Sequence, residues 1–482
     1  MTSDNDAAAT LTASPLHATA TIGVASIATL ALSVITAKAV ALFGGPEGVG
    51  VLALLQSVLN LGVVLGSFGL ATSAIQTVTK WEARQGLGAV RTAVRAALIV
   101  GLIGGAIGAV AIVLLRGPLA ENVLGSEARS SDLLLIAPAL TISIVASVCL
   151  AALSGLHRIR WVAAINIGTG VVATASVTTS LITAGIDGLA AALLLTAVAQ
   201  LGFSLILLSR ALGGSRPVGS LLQAARELFH VGGGVAISQA ITSGVQLLLP
   251  VLVLQAFSTP GVGIYRAAAT VSIGYLTVFL ASLMQDFLPR LARADNDEFV
   301  QLLERRMRLV AGLGVPFILG MLATAPWLLA FLYSDEFSAA TGVLQWHLVG
   351  DLLRLPALVM LLPLLARRRM RMYVSAEIVL GVVVLAGTAS GLLFFGLIGS
   401  GVGYAAAQVV YYVCLLAFTR AALGAWPGRL QGLLATTAVA SMGLLLAPLD
   451  TSLRSAVFAL LAGGAAFVIW PRLWAMHRAE EL

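Results

Sequence analysis

Charged side chains are scarce in this sequence: Asp, Glu, Lys and Arg make up 10% of its 482 residues, whereas 59% are hydrophobic. A soluble domain carries roughly 25% charged residues on average, most of them on its surface. Cysteine is also rare, and Cys149 and Cys414 both lie within apolar runs. The composition therefore excludes a soluble globular protein, and the two cysteines indicate neither a disulfide nor a metal site.

Long apolar runs occur from one end of the chain to the other. A run of roughly 20 residues is long enough to cross the hydrocarbon core of a bilayer as a helix. The predicted runs are 18–43, 49–78, 96–115, 132–155, 162–184, 188–209, 231–257, 263–288, 309–333, 339–366, 372–396, 399–419, 430–447 and 453–471. The sequence therefore predicts an all-α polytopic membrane protein with about 14 transmembrane helices.

Basic residues fall on one side of this arrangement. If the N-terminus is inside, the outer loops contain only Arg116, Arg129 and Arg454. Loops rich in Lys and Arg face the cytoplasm, so we expect a multi-pass protein of the bacterial inner membrane with both termini cytoplasmic. Short basic clusters between apolar runs do not resemble a nucleic-acid-binding face, and nucleic acid is not an expected partner.

An internal repeat divides the chain. A shift of 213 residues places Gly48 on Gly261 and Lys80 on Arg293, and parallel repeats of this kind are typical of transporters. We expect two parallel six-helix repeats around a central cavity. The predicted regions are a disordered cytoplasmic tail at 1–17, an N-terminal bundle at 18–210, a cytoplasmic linker at 211–230, a C-terminal bundle at 231–420, and two extra helices with a cytoplasmic tail at 421–482.

Several predicted spans contain ionisable residues, which cost on the order of 2.5–3.5 kcal/mol each at the centre of a membrane helix. They are Lys38, Arg266, His347, Asp351, Arg354 and Glu377. Three of them, His347, Asp351 and Arg354, have the spacing i, i+4, i+7 and therefore share one helical face. Neutral polar residues in the spans include Gln56, Asn60, Gln239, Gln246 and Gln408.

Each of these residues also has a purely structural interpretation. Asp351 and Arg354 could neutralise one another, Arg266 could reach the outer interface, and Glu377 could reach cytoplasmic arginines. His347 could be a core histidine, and the amides could join helix to helix.

Taken together, the cations predict a cavity for an anionic ligand, above all a phosphate, because arginine matches phosphate geometry. Lys38, Arg266 and Arg354 are the expected substrate-binding residues. His347, Asp351 and Glu377 are expected to line the cavity or couple transport to an ion. The neutral residues of the cavity would be Gln56, Asn60, Gln239 and Gln246. We find no catalytic motif and expect neither an enzyme nor a cofactor or bound metal.

Four segments of the sequence resemble the Wzx-type O-antigen and polysaccharide flippases of the MATE-like multidrug/oligosaccharidyl-lipid/polysaccharide exporter superfamily. They are "GVGIYRAAATVSIGY", "LVGDLLRLPALVM", "VSAEIVLGVVV" and "GLIGSGVGYAAAQVVYYV", and the resemblance covers most of residues 18–420. It implies a MATE-like fold whose first, second, seventh and eighth helices form much of the cavity wall. The residues that match the family's charged span positions are Arg266, Asp351, Arg354 and Glu377.

The resemblance also implies a function: translocation of an undecaprenyl-pyrophosphate-linked oligosaccharide to the outer leaflet, for O-antigen of lipopolysaccharide, capsule or exopolysaccharide. Membrane lipids, a polymerase and a chain-length regulator of the same pathway would be partners. Two helices beyond the family's twelve leave a lipid II-type flippase open. A cation-coupled drug exporter is less favoured, because the first and seventh spans contain no Asp or Glu. A glycan polymerase or ligase is also less favoured, because the longest outer loop is only 116–131.

Overall fold

The fold was examined in a computed structural model, which describes residues 15–214, 216–282, 287–367, 369–423, 428–447 and 450–481. These residues form helices joined by turns. Two compact units are present, and the division between them lies at Leu247 and Leu248. The predicted tail at 1–17 lies mostly outside the described residues, and the predicted domain limits remain predictions.

Unit 1 consists of long helices and one short one, and it includes the first part of α8. Their bounds are α1 Pro15–Ser67, α2 Leu70–Gln85, α3 Leu87–Leu114, α4 Arg116–Val123, α5 Ser130–Gly155, α6 Ile159–Ala184, α7 Leu189–Leu212 and α8 Leu221–Ser282. Helix α1 packs against α6, and α5 packs against both α3 and α7. The core of the unit therefore lies around α5.

Unit 2 contains the second part of α8 and the helices that follow it. Their bounds are α9 Leu288–Arg293, α10 Asn296–Leu332, α11 Ala340–Ala366, α12 Met370–Phe395, α13 Gly399–Leu423, α14 Gly428–Leu446 and α15 Thr451–Glu481. Helix α13 packs against α11 and α12, while α15 packs against α10 and α14 against α11. The C-terminal pair is thus attached to the outside of α10 and α11.

Eight helical segments are long and apolar enough to cross a membrane. Four of them contain 40 to 54 residues, and each of these is two helices joined at a bend or a 3-10 turn. A single straight helix of that length would be about 60 to 80 Å long, twice the thickness of the hydrocarbon core or more. The segments therefore provide twelve apolar helices, to which α14 and α15 add the final pair. The predicted all-α polytopic membrane fold is confirmed.

One predicted span has the wrong end. The run 49–78 was expected to be a single span, but its helix stops at Ser67. Phe68 and Gly69 then adopt left-handed backbone angles, with φ of 46° and 74°, and this conformation ends a right-handed helix. The remaining residues belong to α2, which buries Leu70 and Trp81 and presents Lys80 and Arg84 on its surface.

The internal repeat is visible in the backbone. Helix α1 bends at Gly45, where φ is 58° and ψ is −163°, and α8 bends at Ser258, where φ is 58° and ψ is −177°. The two bends are 213 residues apart, the same shift that aligns the sequences. This part of Ramachandran space is open almost only to glycine, so Ser258 is strained where its counterpart is not.

Replacement of Ser258 by glycine is expected to raise the free energy of unfolding by about 1 kcal/mol, because glycine adopts this conformation without steric cost. The Ser258 hydroxyl donates a hydrogen bond to the Phe257 carbonyl at 2.6 Å, and its loss offsets part of the gain. Thermal unfolding of the purified protein measures the change. The reciprocal variant, Gly45→Ser, is the matched control and should be destabilised. A lower unfolding temperature for Ser258→Gly would contradict the assignment of strain.

Arg129 marks one end of unit 1. Its guanidinium lies 3.7 Å from the carboxylate of Glu47, 3.5 Å from that of Asp132 and 4.0 Å from that of Asp187. These three acidic residues come from the bend of α1, the start of α5 and the turn between α6 and α7. The three connections therefore lie at the same end of the unit.

Glu227 marks the opposite end of unit 1. Its carboxylate accepts hydrogen bonds from Lys80 Nζ and, at 2.8 Å, from Trp81 Nε1. The hydrogen bond from Lys80 lowers the pKa of the Glu227 carboxyl. Nearby, the Thr92 hydroxyl donates to the Val218 carbonyl at 2.9 Å. Helix α2, the start of α3 and the segment leading into α8 are thereby joined at this end.

Unit 2 also has its connections at two ends. At one end, Gly396 lies beside the ring of Phe257, and Gly342 lies against Ile398. At the other end, the Arg367 guanidinium lies 4.3 Å from the centroid of the Phe299 ring. Successive connections within each unit thus alternate between its two ends, as successive membrane crossings require.

Candidate functional site

Asp351 is the most completely buried charged residue of the described chain, with 0% of its surface exposed. Its Oδ2 accepts hydrogen bonds from the Ser272 hydroxyl and the Tyr275 hydroxyl, both at 2.6 Å. Its Oδ1 accepts a third from the Tyr404 hydroxyl at 2.8 Å. A carboxylate that accepts from three neutral donors is solvated by the protein, which is the condition for keeping such a group inside an apolar span.

These hydrogen bonds join three helices of unit 2. Ser272 and Tyr275 lie on α8, Asp351 lies on α11, and Tyr404 lies on α13. Because the first two are three residues apart, they share a face of α8. Any relative movement of the three helices must break or exchange these bonds.

His347 extends this group by one helical turn. Its ring stacks on the ring of Tyr404, with centroids 4.5 Å apart and an interplanar angle of 13°, and it lies 5.9 Å from the ring of Tyr265. Nδ1 is 2.9 Å from the Val343 carbonyl, which can only accept, so Nδ1 carries the hydrogen. We call His347, Asp351, Ser272, Tyr275 and Tyr404 the Asp351 cluster.

Gly350 allows the two main helices of the cluster to approach closely. A Cβ atom at this position would lie 2.9 Å from the Tyr404 ring and 3.1 Å from the Ala405 Cα. Both distances are too short for a side chain without displacement of Tyr404. The glycine therefore helps to bring the Tyr404 hydroxyl within reach of Asp351.

Arg354 lies one turn beyond Asp351 and is half-buried. It interacts electrostatically with Asp351, with Glu377 of α12 and with Tyr404 and Tyr411 of α13. Within the described residues, however, no ion pair of 4.0 Å or less joins it to Asp351. The carboxylate is held by hydroxyl groups rather than by its i+3 arginine, so mutual neutralisation is not the main reason for its place in the span.

The hydroxyl donors of the cluster were not predicted from the sequence, although a signal for one of them was present. Tyr404, Gln408 and Tyr411 have the spacing i, i+4, i+7 on α13, the same spacing as His347, Asp351 and Arg354 on α11. Two helices whose polar residues have one spacing can align them face to face. Here α11 and α13 do so.

Gln408 stands out within this face because it is 0% exposed and neither its Oε1 nor its Nε2 has a hydrogen-bond partner among the described residues. A buried amide without partners costs on the order of 1–3 kcal/mol. One helical turn further, the Tyr412 hydroxyl is also buried without a partner in the described part of the chain. The described arrangement is therefore destabilised at this level of α13.

Replacement of Gln408 by leucine is expected to raise the free energy of unfolding by about 1 kcal/mol, because leucine has a similar size and no polar group to leave unpaired. Thermal unfolding in detergent tests this expectation. Gln246→Leu, at an exposed position of α8, is the matched control and should change stability much less. A clear loss of stability in Gln408→Leu would mean that the amide has partners, such as ordered water.

The other predicted site residues lie apart from the cluster. Lys38 is half-buried on α1, seven residues before Gly45, and Arg266 is half-buried on α8, next to Tyr265 of the aromatic group. Among the neutral residues, Gln56 is half-buried, whereas Asn60, Gln239 and Gln246 are exposed. The structure thus brings together His347, Asp351, Arg354 and Glu377, and the assignment of roles to all ten residues remains a prediction.

A comparison of the sequence with known protein families decides the family. Residues 40–341, well over half of the chain, match the family described as polysaccharide biosynthesis protein. The chain belongs to this family.

Two curated relatives are lipid III flippases, from Escherichia coli (strain K12) and from Shigella flexneri. Each is 26% identical to the chain over 174 residues, which is 34% of this chain and 40% of the relative. The match therefore spans less than half of the length of these relatives.

Solved structures show the same fold. The lipid II flippase MurJ, in an inward closed conformation, has a TM-score of 0.70 at 12% identity and covers 95% of this chain and 99% of its own. A multidrug resistance MATE family transporter of the MOP superfamily, in an inward-facing conformation, has a TM-score of 0.69 at 14% identity, with coverage of 82% and 94%. The predicted resemblance to the flippases of this superfamily is confirmed. These relatives are flippases and transporters, not catalytic enzymes, which agrees with the prediction.

Proposed function

We propose that this protein is a flippase that moves an undecaprenyl-pyrophosphate-linked oligosaccharide from the cytoplasmic to the outer leaflet of the bacterial inner membrane. The oligosaccharide would be a repeat unit of O-antigen, capsule or exopolysaccharide, and transport would occur by alternating access. Membership of the polysaccharide biosynthesis family and similarity to lipid III flippases support this class of substrate. A polymerase and a chain-length regulator of the same glycan would act on the product.

The observation that carries the proposal is the contrast between the charges of the spans. Asp351 is enclosed by three hydroxyl donors, whereas Lys38, Arg266 and Arg354 each keep part of their surface accessible. A cation that faces lipid in mid-membrane is costly, so such residues face a polar cavity instead. Accessible cations of this kind suit a pyrophosphate.

The direction of transport rests on the orientation of the chain. In unit 1, the end marked by Glu227 carries Lys80, Arg84 and Arg91, whereas the opposite end is marked by Arg129 among three carboxylates. Basic connections face the cytoplasm. We therefore place the Glu227 end, and both chain termini, on the cytoplasmic side.

A strain that lacks the gene tests the function directly. The proposal predicts that surface glycan is lost and that the lipid-linked oligosaccharide accumulates on the cytoplasmic side, with both effects reversed by the intact gene. Resistance to drugs in a pump-deficient host, with surface glycan unchanged, would instead support a cation-coupled multidrug exporter.

A lipid II-type flippase is the second candidate. The extra helices α14 and α15, together with the coverage of nearly the whole chain by the MurJ fold, favour it. Complementation separates the two: rescue of a strain depleted of its lipid II flippase, without rescue of surface glycan, would select the second candidate.

The driving force is proposed to be the membrane potential, because an outward-moving anion gains about 2.3 kcal/mol per charge and 100 mV. If a proton is also exchanged, Glu377 is the residue we name, since it is half-buried whereas Asp351 is enclosed. Flipping in vesicles with the pH gradient and the potential imposed separately distinguishes the two. Dependence on potential alone, unchanged in Glu377→Gln, would remove proton exchange from the account.

A further inference from the structure

Eight arginines converge at one end of unit 2, where α9, the start of α10, the end of α11 and the start of α12 meet. Helix α9 packs against both α10 and α11, which brings these segments together. The arginines, which we call the arginine face, are Arg290, Arg293, Arg305, Arg306, Arg308, Arg367, Arg369 and Arg371. All are exposed or half-exposed. The described side chains of the same segments include only three acidic ones, Asp295, Glu298 and Glu304, so the surface has a strong positive charge.

Buried aromatic rings hold part of this face in place. The Arg367 guanidinium lies 4.3 Å from the centroid of Phe299, and that of Arg306 lies 5.4 Å from the centroid of Phe287. Phe299 and Phe287 are only 2% and 4% exposed. Stacking on a fixed ring restricts a guanidinium and leaves its N–H edge available for a ligand.

Helix α9 presents its own arginines outward. Leu291 is buried in the unit, while Arg290 and Arg293 are exposed on the other side of the helix. A short helix with leucine inside and arginine outside, next to the ends of apolar spans, has the position and polarity of a segment at the level of lipid headgroups.

The corresponding end of unit 1 uses its basic residues differently. Lys80 is paired with Glu227, and Arg91 reaches the Gly213 carbonyl at 3.5 Å. There, the cations hold the segment before α8 in place. The positive charge of the arginine face exceeds what the three nearby carboxylates can balance, so it is suited to an external anion.

We propose that the arginine face binds the phosphate groups of anionic phospholipids in the surrounding leaflet, such as phosphatidylglycerol. Arginine forms bidentate hydrogen bonds with phosphate oxygens, and each basic residue near an anionic membrane surface contributes about 1 kcal/mol. The proposal concerns the bulk lipid and does not depend on the transported substrate or on which leaflet the face contacts. It assigns a lipid requirement to the α9 to α12 end of unit 2.

The test uses the purified full-length protein and measures binding of phosphatidylglycerol by native mass spectrometry, with phosphatidylcholine as the zwitterionic comparison. Wild-type protein should retain phosphatidylglycerol preferentially. In the double variant Arg290→Gln/Arg293→Gln, the loss of two contacts predicts about 30-fold weaker binding. The matched control is Arg84→Gln/Arg95→Gln, which removes two exposed arginines from unit 1 and should bind almost as the wild type does.

A second variant, Arg371→Gln, gives a smaller expected loss, about fivefold, and serves if the double variant fails to fold. Equal retention of phosphatidylglycerol and phosphatidylcholine by the wild type would overturn the proposal. So would a loss in the control as large as that in the α9 variant, because the effect would then reflect net charge rather than this surface. Binding of undecaprenyl pyrophosphate without phosphatidylglycerol would also overturn it and would assign the face to substrate.

Discussion

Asp351→Ala is expected to lower the free energy of unfolding by about 3–5 kcal/mol, the range found when one partner is removed from a buried charged network. The substitution takes the acceptor away from three buried hydroxyls, those of Ser272, Tyr275 and Tyr404. It also removes the bonds that join α8, α11 and α13. We therefore expect a loss of glycan export together with the loss of stability.

Asparagine should be tolerated better than alanine at this position. Asp351→Asn keeps one acceptor oxygen, and the hydroxyls of Ser272 and Tyr275 can rotate to accept from the new amide group. Thermal unfolding in detergent measures both variants. Asp335→Ala, which removes an exposed aspartate of the same unit, is the control and should change stability by less than 0.5 kcal/mol on the scale typical of surface substitutions. An alanine variant as stable as this control would refute the structural role of the Asp351 cluster.

The second large effect is expected at the cations of the spans. Lys38→Ala, Arg266→Ala and Arg354→Ala should each weaken the binding of the substrate pyrophosphate, and lower export, roughly 10- to 100-fold. This range corresponds to the loss of one charge-assisted hydrogen bond of about 1.5–3 kcal/mol. Arg266→Lys should retain part of the activity, since it keeps the charge but not the bidentate geometry.

Surface glycan in a null strain reports this activity, with the amount of protein in the membrane measured in parallel. Arg116→Ala removes an exposed cation at the end of α3 and is the matched control, with no expected effect. If all three alanine variants, inserted at normal levels, restored full glycan display, the cationic-cavity account would be wrong.

The helices and the repeat were predictable because they rest on local signals. Apolar length gave the spans, and the repeated pattern after Gly45 and Ser258 gave the shift that the two bends confirm. The end of the second span was predicted wrongly, since the left-handed backbone at Phe68 has no signature as clear as a proline.

The Asp351 cluster was predictable only in part. The polar face of α11 follows from the spacing of His347, Asp351 and Arg354, but the hydroxyls that solvate Asp351 lie 53 to 79 residues away along the chain. Their approach depends on how α8 and α13 pack on α11, and on the space left by Gly350. A neutral tyrosine in an apolar helix carries no charge that would mark it in advance.

The central claim, that the protein flips a pyrophosphate-linked glycan, is tested most directly with the purified protein in proteoliposomes. A fluorescent undecaprenyl-pyrophosphate oligosaccharide is placed in one leaflet, and its appearance in the other is followed with a membrane-impermeant quencher. Our account predicts protein-dependent translocation that is accelerated by a potential driving the anion in the transport direction and is reduced at least tenfold in Arg266→Ala. Translocation no faster than in protein-free vesicles, or equally fast with a neutral lipid-linked glycan, would contradict it.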